Sequence, residues 1–109
     1  MTDSTLTPEV KSKIENLLNE HKVVLFMKGS AQFPQCGFSA RATAILQEVG
    51  TAFHTVDVLS DGEIRQGIKE YGNWPTIPQL YINKELVGGS DIMMEMFESG
   101  ELKDMLQLK

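Results

Sequence analysis

Residues 79–87 read QLYINKELV, and this stretch decides what kind of sheet the chain builds. Gln79–Ile82 and Glu85–Val87 are short runs of strand formers on either side of Asn83-Lys84. A two-residue polar break between such runs predicts a tight hairpin, although Asn-Lys is a weaker turn signal than Asn-Gly. Upstream, Val23–Met27 (VVLFM) is an unbroken apolar run, the pattern of a central strand covered on both faces. Phe53–Val58 predicts a further strand. Between them Phe38, Ala42, Ile45, Leu46 and Val49 recur at intervals of three and four, and Gly50 stops the helix. Strand, helix and strand over so short a span imply a parallel pair with a right-handed crossover. Thr7, Pro8 and Glu9 start a helix over about residues 8–20, whose apolar row is Val10, Ile14, Leu17 and Leu18. Asp61 caps a helix carrying Ile64, Ile68 and Tyr71, closed by Gly72. Ser90 and Asp91 open another, with Ile92, Met93, Met96 and Phe97 inward, and Leu102, Met105 and Leu106 predict a short last helix after Gly100. The expected class is α/β: a four-stranded mixed sheet, a parallel pair plus a C-terminal hairpin, flanked by helices.

Composition narrows the function. The chain has 109 residues, enough for one domain with its own core. Ten basic residues against fifteen acidic ones leave a net charge of −5, with no Lys/Arg cluster to neutralise a phosphate backbone, so nucleic acid is not an expected partner. The longest apolar run, Val23–Met27, is far too short for a membrane span, and MTDSTLTPEV lacks the build of a secretory signal, so neither membrane nor export is expected. The single cysteine excludes an internal disulfide and points to a reducing, cytoplasmic compartment.

That cysteine, Cys36, stands in FPQCGFSARA, where the Gly29–Gln35 loop turns into a helix. A lone cysteine is often a small buried hydrophobe. At a helix N-terminus, free backbone N–H groups and the macrodipole instead favour the thiolate, a nucleophile or metal ligand. Gly37 leaves the sulfur open to close approach, and Lys28, ending the central strand, would add positive charge at the same edge. CGFS is a C-x-x-C motif with Ser39 in place of the resolving thiol. A hydroxyl cannot attack a disulfide, so an adduct on Cys36 must wait for an outside thiol. His21 and His54 lie apart, on a helix end and a strand, with no metal spacing, and read as structural; Met93, Met94 and Met96 read as core filling, and Trp74 and Phe38 as core or lid packing.

Parallel pair followed by hairpin is compatible with a thioredoxin-like fold. FMKGSAQFPQCGFS, RQGIKEYGNWPTIPQLYI and VGGSDI, in that order, closely resemble the CGFS-type monothiol glutaredoxins, those of cyanobacteria and plastids above all, from about Leu6 to Leu106. The resemblance implies one glutaredoxin domain over 1–109, a glutathione site, and a [2Fe-2S] cluster shared between two subunits. Ser90 stands where many such proteins carry a second cysteine, so no disulfide to that position is open to this chain. A [2Fe-2S] centre takes four thiolates. Two chains would supply two Cys36 sulfurs and two glutathiones the rest, making a homodimer whose loosely held cluster suits transfer.

The resemblance also implies the binding residues. Glutathione carries two carboxylates and an amine, and Arg65 and Lys69, at i and i+4, would share a carboxylate with Lys28 in reach, although such a pair alone is usually a solvated face. In the family the proline matching Pro78 is cis, turning the Ile77 backbone toward the glutathione peptide. Gly88 and Gly89 let the chain pass close to a ligand, and Ser90 and Asp91 open a helix whose free N–H groups would take the γ-glutamyl carboxylate, with Asp91 at its amine. Gly37 and Phe38, beside the sulfur, complete the set. Two functions follow from the family: a cluster carrier that serves apo iron-sulfur acceptor proteins or pairs with a BolA-like protein, in a bacterial cytosol or an organelle stroma or matrix, and a glutathione-dependent oxidoreductase with Cys36 as the catalytic nucleophile. The GSAQF loop resembles that of the poorly active, cluster-binding class.

Overall fold

The protein is represented by a computed structural model that describes residues 6–107. In chain order the elements are α1 (Pro8–Glu20), β1 (Val23–Met27), α2 (Gly37–Val49), β2 (His54–Asp57), α3 (Gly62–Tyr71), β3 (Gln79–Ile82), β4 (Glu85–Gly88), α4 (Ser90–Ser99) and α5 (Glu101–Gln107). The sheet order is β2-β1-β3-β4. β1 pairs parallel with β2, Val24 opposite His54, and antiparallel with β3, Leu25 opposite Leu80. β3 and β4 form the hairpin. Its turn residues Asn83 and Lys84 both have positive φ, 51° and 71°, as a mirror-image two-residue turn requires.

VVLFM is unbroken because β1 is covered on both sides, and all five residues are buried. Val24 and Phe26 face Val10, Ile14 and Leu18 of α1 and Ile64 and Ile68 of α3. Val23, Leu25 and Met27 face Ala42, Ile45 and Leu46 of α2, Met93 of α4, and Leu102 and Leu106 of α5. At about 1.5–3 kcal/mol for each large apolar side chain taken from water, these two layers hold the sandwich together. Capping sets the helix ends: Thr7 Oγ1 accepts from the Val10 N–H at 3.2 Å, and Asp61 Oδ1 from those of Glu63 and Ile64 at 3.1 and 3.2 Å.

Four expectations need correcting. β2 is His54–Asp57, shorter than 53–58, because Asp57 turns the chain: its Oδ1 accepts from the Leu59 N–H at 2.9 Å and its carbonyl from the Ser60 N–H at 3.2 Å. Phe38 does not join the core row of α2. It is 59% exposed, whereas Ser39 is fully buried: Ser39 is the first-turn residue that faces the end of β1, its Oγ accepting the Lys28 N–H at 3.0 Å, and Phe38 is left outside. α4 opens at Ser90 as expected but takes Gly89 as its N-cap, with no side-chain cap bond; of its expected inward residues Met93 is fully buried, Met96 and Phe97 are half-buried against the same core, and Ile92 is half-buried outside it. His21 and His54 are not apart: their rings stack at 3.9 Å, since the parallel β2 begins beside the turn from α1 into β1. Among the described residues no helix is long and apolar enough to cross a membrane.

Candidate functional site around Cys36

The C-terminal end of β1 places the site. Gly29 follows at φ +89°, and a Cβ there would lie 2.5 Å from the Phe33 carbonyl oxygen and 2.7 Å from the Gln35 nitrogen, so the loop closes too tightly for any side chain. The Gln35 N–H donates to the Lys28 carbonyl at 2.8 Å and the Ser30 N–H to that of Phe33 at 3.2 Å. The Gly29 N–H donates to Asp57 Oδ1 at 2.9 Å, tying the loop to the end of β2. This bracing delivers Cys36 to the N-cap of α2.

The half-buried sulfur is itself the cap: Sγ accepts the Ser39 N–H at 3.3 Å. The thiol also lies 3.4 Å from Ser39 Oγ, to which it donates when neutral and from which it accepts once ionised, while that oxygen accepts the Lys28 N–H at 3.0 Å. Burial pushes the thiol up. The Ser39 hydroxyl, the Ser39 and Phe38 N–H groups and the Lys28 charge together outweigh it, and hold Cys36 below the usual thiol range. Such a sulfur attacks electrophiles or binds soft metals. Among the described residues no group of three or more His, Cys, Asp or Glu side chains gathers as a metal site.

Beside it runs a groove of about 490 Å³. Lys28, Phe38 and Lys69 border it, the segment Trp74–Pro78 forms one wall, and Gly89, Ser90, Asp91 and Ile92 form another. Eight of the residues that the resemblance implied therefore come together here: Lys28, Phe38, Lys69, Ile77, Pro78, Gly89, Ser90 and Asp91. Cys36, Gly37 and Arg65 are not on the wall. Cys36 and Gly37 adjoin it through Phe38, and the Arg65 Nε is buried without a hydrogen-bond partner in the described structure. The Ile77–Pro78 peptide is cis. A Cβ on Gly89 would stand 3.3 Å from the Pro78 carbonyl oxygen and 3.5 Å from Trp74 Nε1, so a side chain there would push the two walls apart by a few tenths of an ångström. The Trp74 indole N–H has no acceptor either. With Gly89 as its cap, α4 leaves its first N–H groups without a side-chain acceptor beside Asp91, whose Oδ1 lies 3.7 Å from Arg41 Nη1.

The donor set suits a small peptide bearing carboxylates: cations at one end, free helix N–H groups at the other, and a thiol at the edge. Sequence reasoning singled out the stretch WPTIPQ over residues 74–79 but gave roles only to Ile77 and Pro78 in it, and it missed Ser39 as the sulfur's partner, Ile92 as a wall residue and Gln79 as the residue beneath the wall. A polar residue opening an otherwise apolar strand was the available signal for Gln79, which the structure buries fully.

Comparison with known proteins agrees with this geometry. The family described as Glutaredoxin matches residues 23–87. A monothiol glutaredoxin of Synechocystis sp. is 56% identical over 94% of this chain and 96% of its own length. A chloroplastic monothiol glutaredoxin of Arabidopsis thaliana is 52% identical over 93% of this chain and 58% of that longer protein. The solution structure of reduced poplar apo GrxS14 superposes with a TM-score of 0.80 at 49% identity, covering 92% of each chain. Thioredoxin-like fold, lone thiol and sequence identity thus agree, and the chain belongs to the glutaredoxin family, in its monothiol branch.

Proposed function

We propose that the chain binds glutathione in the groove beside Cys36 and, as a homodimer, carries a [2Fe-2S] cluster as cargo for iron-sulfur cluster transfer and iron homeostasis. The observation that carries this reading is a single thiol, held below its usual pKa range beside a groove bordered by Lys28, Lys69 and the first turn of α4, with no cluster of three or more His, Cys, Asp or Glu side chains among the described residues. A cluster bound there needs Cys36 from each of two chains and two thiols from solution. Lys28 and Lys69, with Arg65 behind them, supply the charge for one glutathione carboxylate. Ile77 and Pro78 present the backbone edge. Gly89, Ser90 and Asp91 offer the helix N-terminus to the γ-glutamyl end, and Gly37 and Phe38 border the sulfur. Apo iron-sulfur proteins and a BolA-like protein are the proposed partners, in a bacterial cytosol or an organelle stroma or matrix.

The lowered thiol pKa also supports a second reading as a weak oxidoreductase. The Cys36 thiolate attacks the glutathione sulfur of a glutathionylated protein, whose thiolate leaves. A second glutathione then attacks the Cys36 adduct, releasing glutathione disulfide and the Cys36 thiolate. Ser39 cannot perform that release. Reconstitution with iron, sulfide and glutathione tests the first reading: visible cluster absorption is expected in a dimer fraction and is lost without glutathione or in Cys36→Ser. Colour that survives either change refutes the shared-ligand assembly. If no cluster forms while exchange with glutathione is fast, the oxidoreductase reading replaces it.

A further inference from the structure

Gln79 opens β3, an otherwise apolar strand, yet its side chain is fully buried. Burying a primary amide costs free energy unless its polar atoms are paired, and an apolar side chain of the same length would fill the space more cheaply. The amide is paired in a directed way. Nε2 donates to the Trp74 carbonyl at 3.0 Å and to the Thr76 carbonyl at 3.2 Å, and Oε1 accepts from the Tyr81 hydroxyl at 3.1 Å. Both N–H donors thus go to the one segment, Trp74–Pro78, that forms a wall of the groove.

We propose that Gln79 is a positioning residue for the groove: without touching a ligand, it braces the Trp74–Pro78 wall from beneath so that the Thr76–Ile77 backbone is held ready for a bound peptide. The inference rests on the glutathione reading above. Tyr81 sets the direction of the brace. Its phenol must donate, so the amide oxygen faces it and the NH₂ group faces the wall. Burial, with Tyr71 nearby, pushes the Tyr81 phenol up, so it stays a donor at every physiological pH. The hydroxyl is seated against Gly72, where a Cβ would overlap it, so only glycine leaves it this place. The far end of the segment is tied separately, the Trp74 N–H donating to the Lys69 carbonyl at 3.0 Å. The wall is therefore pinned at both ends, and its middle depends on one amide.

The test is calorimetric titration of the full chain with reduced glutathione, for the wild type, Gln79→Met, Tyr81→Phe and a stability control, Ile45→Val. Ile45 is buried between α2 and the opposite face of the sheet, in a cluster that holds no groove-lining residue. Gln79→Met keeps the length and loses all three bonds; it should bind about tenfold more weakly, and Tyr81→Phe, which frees the amide to turn, about threefold. Ile45→Val should melt earlier yet bind like the wild type, and the Cys36 thiolate midpoint should be the same in all four. Gln79→Met binding within about twofold of the wild type overturns the inference. So does Ile45→Val losing as much affinity as Gln79→Met, which would mark the effect as general loosening. If Gln79→Met does not fold, Tyr81→Phe decides alone, and unchanged affinity there overturns the inference. A wild type that does not bind glutathione sinks the glutathione reading itself, an outcome distinct from a wild type that binds and a variant that binds equally well.

Discussion

Ser39→Ala tests how the fold activates its sulfur. The hydroxyl is fully buried in the first turn of α2, between Cys36 Sγ at 3.4 Å and the Lys28 N–H at 3.0 Å. A hydrogen bond to a charged group contributes about 1.5–3 kcal/mol, but this one is long and its acceptor is a diffuse sulfur, so about 1 kcal/mol of thiolate stabilisation is the reasonable share. That is about a fivefold change in the ratio of thiolate to thiol. Ser39→Ala should therefore move the thiolate midpoint up and, at a pH below it, slow alkylation of Cys36 about fivefold. Backbone N–H groups and Lys28 remain, so activation falls but does not vanish. The substitution also leaves the Lys28 N–H without its acceptor, which should cost about 1–2 kcal/mol of folding stability in urea. The assay is the ultraviolet absorbance of the thiolate against pH, with Cys36→Ser as the blank. A midpoint at or below that of the wild type would refute the reasoning, and would leave the backbone N–H groups and Lys28 as the whole source of activation.

Two further outcomes follow from the geometry. Gly29→Ala should lose about 2–4 kcal/mol in urea denaturation, since φ +89° and a carbonyl oxygen 2.5 Å from the new Cβ both oppose it; a loss under about 0.5 kcal/mol would mean that the loop relaxes freely. Burial, then His21, push the His54 imidazole down against an opposing pull from Glu20, so the fold favours the neutral ring. Its contribution is complete above the ordinary histidine value of 6.5, declines as the pH falls below it, and is gone beneath the depressed folded value. The melting temperature of the wild type should thus fall more steeply on acidification than that of His54→Gln, and parallel curves would contradict the stacked pair as a source of acid sensitivity.

The local signals and the structure agree where the physics is local. Helix starts at Thr7 and Asp61, stops at Gly50 and Gly100, the unbroken VVLFM and the two-residue hairpin break each follow from side-chain period, cap chemistry or turn conformation within a few residues. The lone Cys36 at a helix entrance was legible for the same reason. Phe38 and Ser39 were not. A period of three and four identifies a stripe but cannot tell where the sheet ends beneath it, and at the first turn of α2 the stripe runs past that end.

What the chain alone determined was the order and kind of its elements and the one sulfur that could do chemistry, because both depend on neighbours in sequence. The stacking of His21 on His54, the meeting of Lys28, Lys69 and Asp91 around one groove, the absence of Arg65 from its wall and the Gln79 brace were decided by tertiary structure. Each depends on the parallel crossover that sets β2 beside β1 and on the hairpin that lays β3 against its other edge. These pairings bring together residues tens of positions apart, and no local period encodes the distances between them.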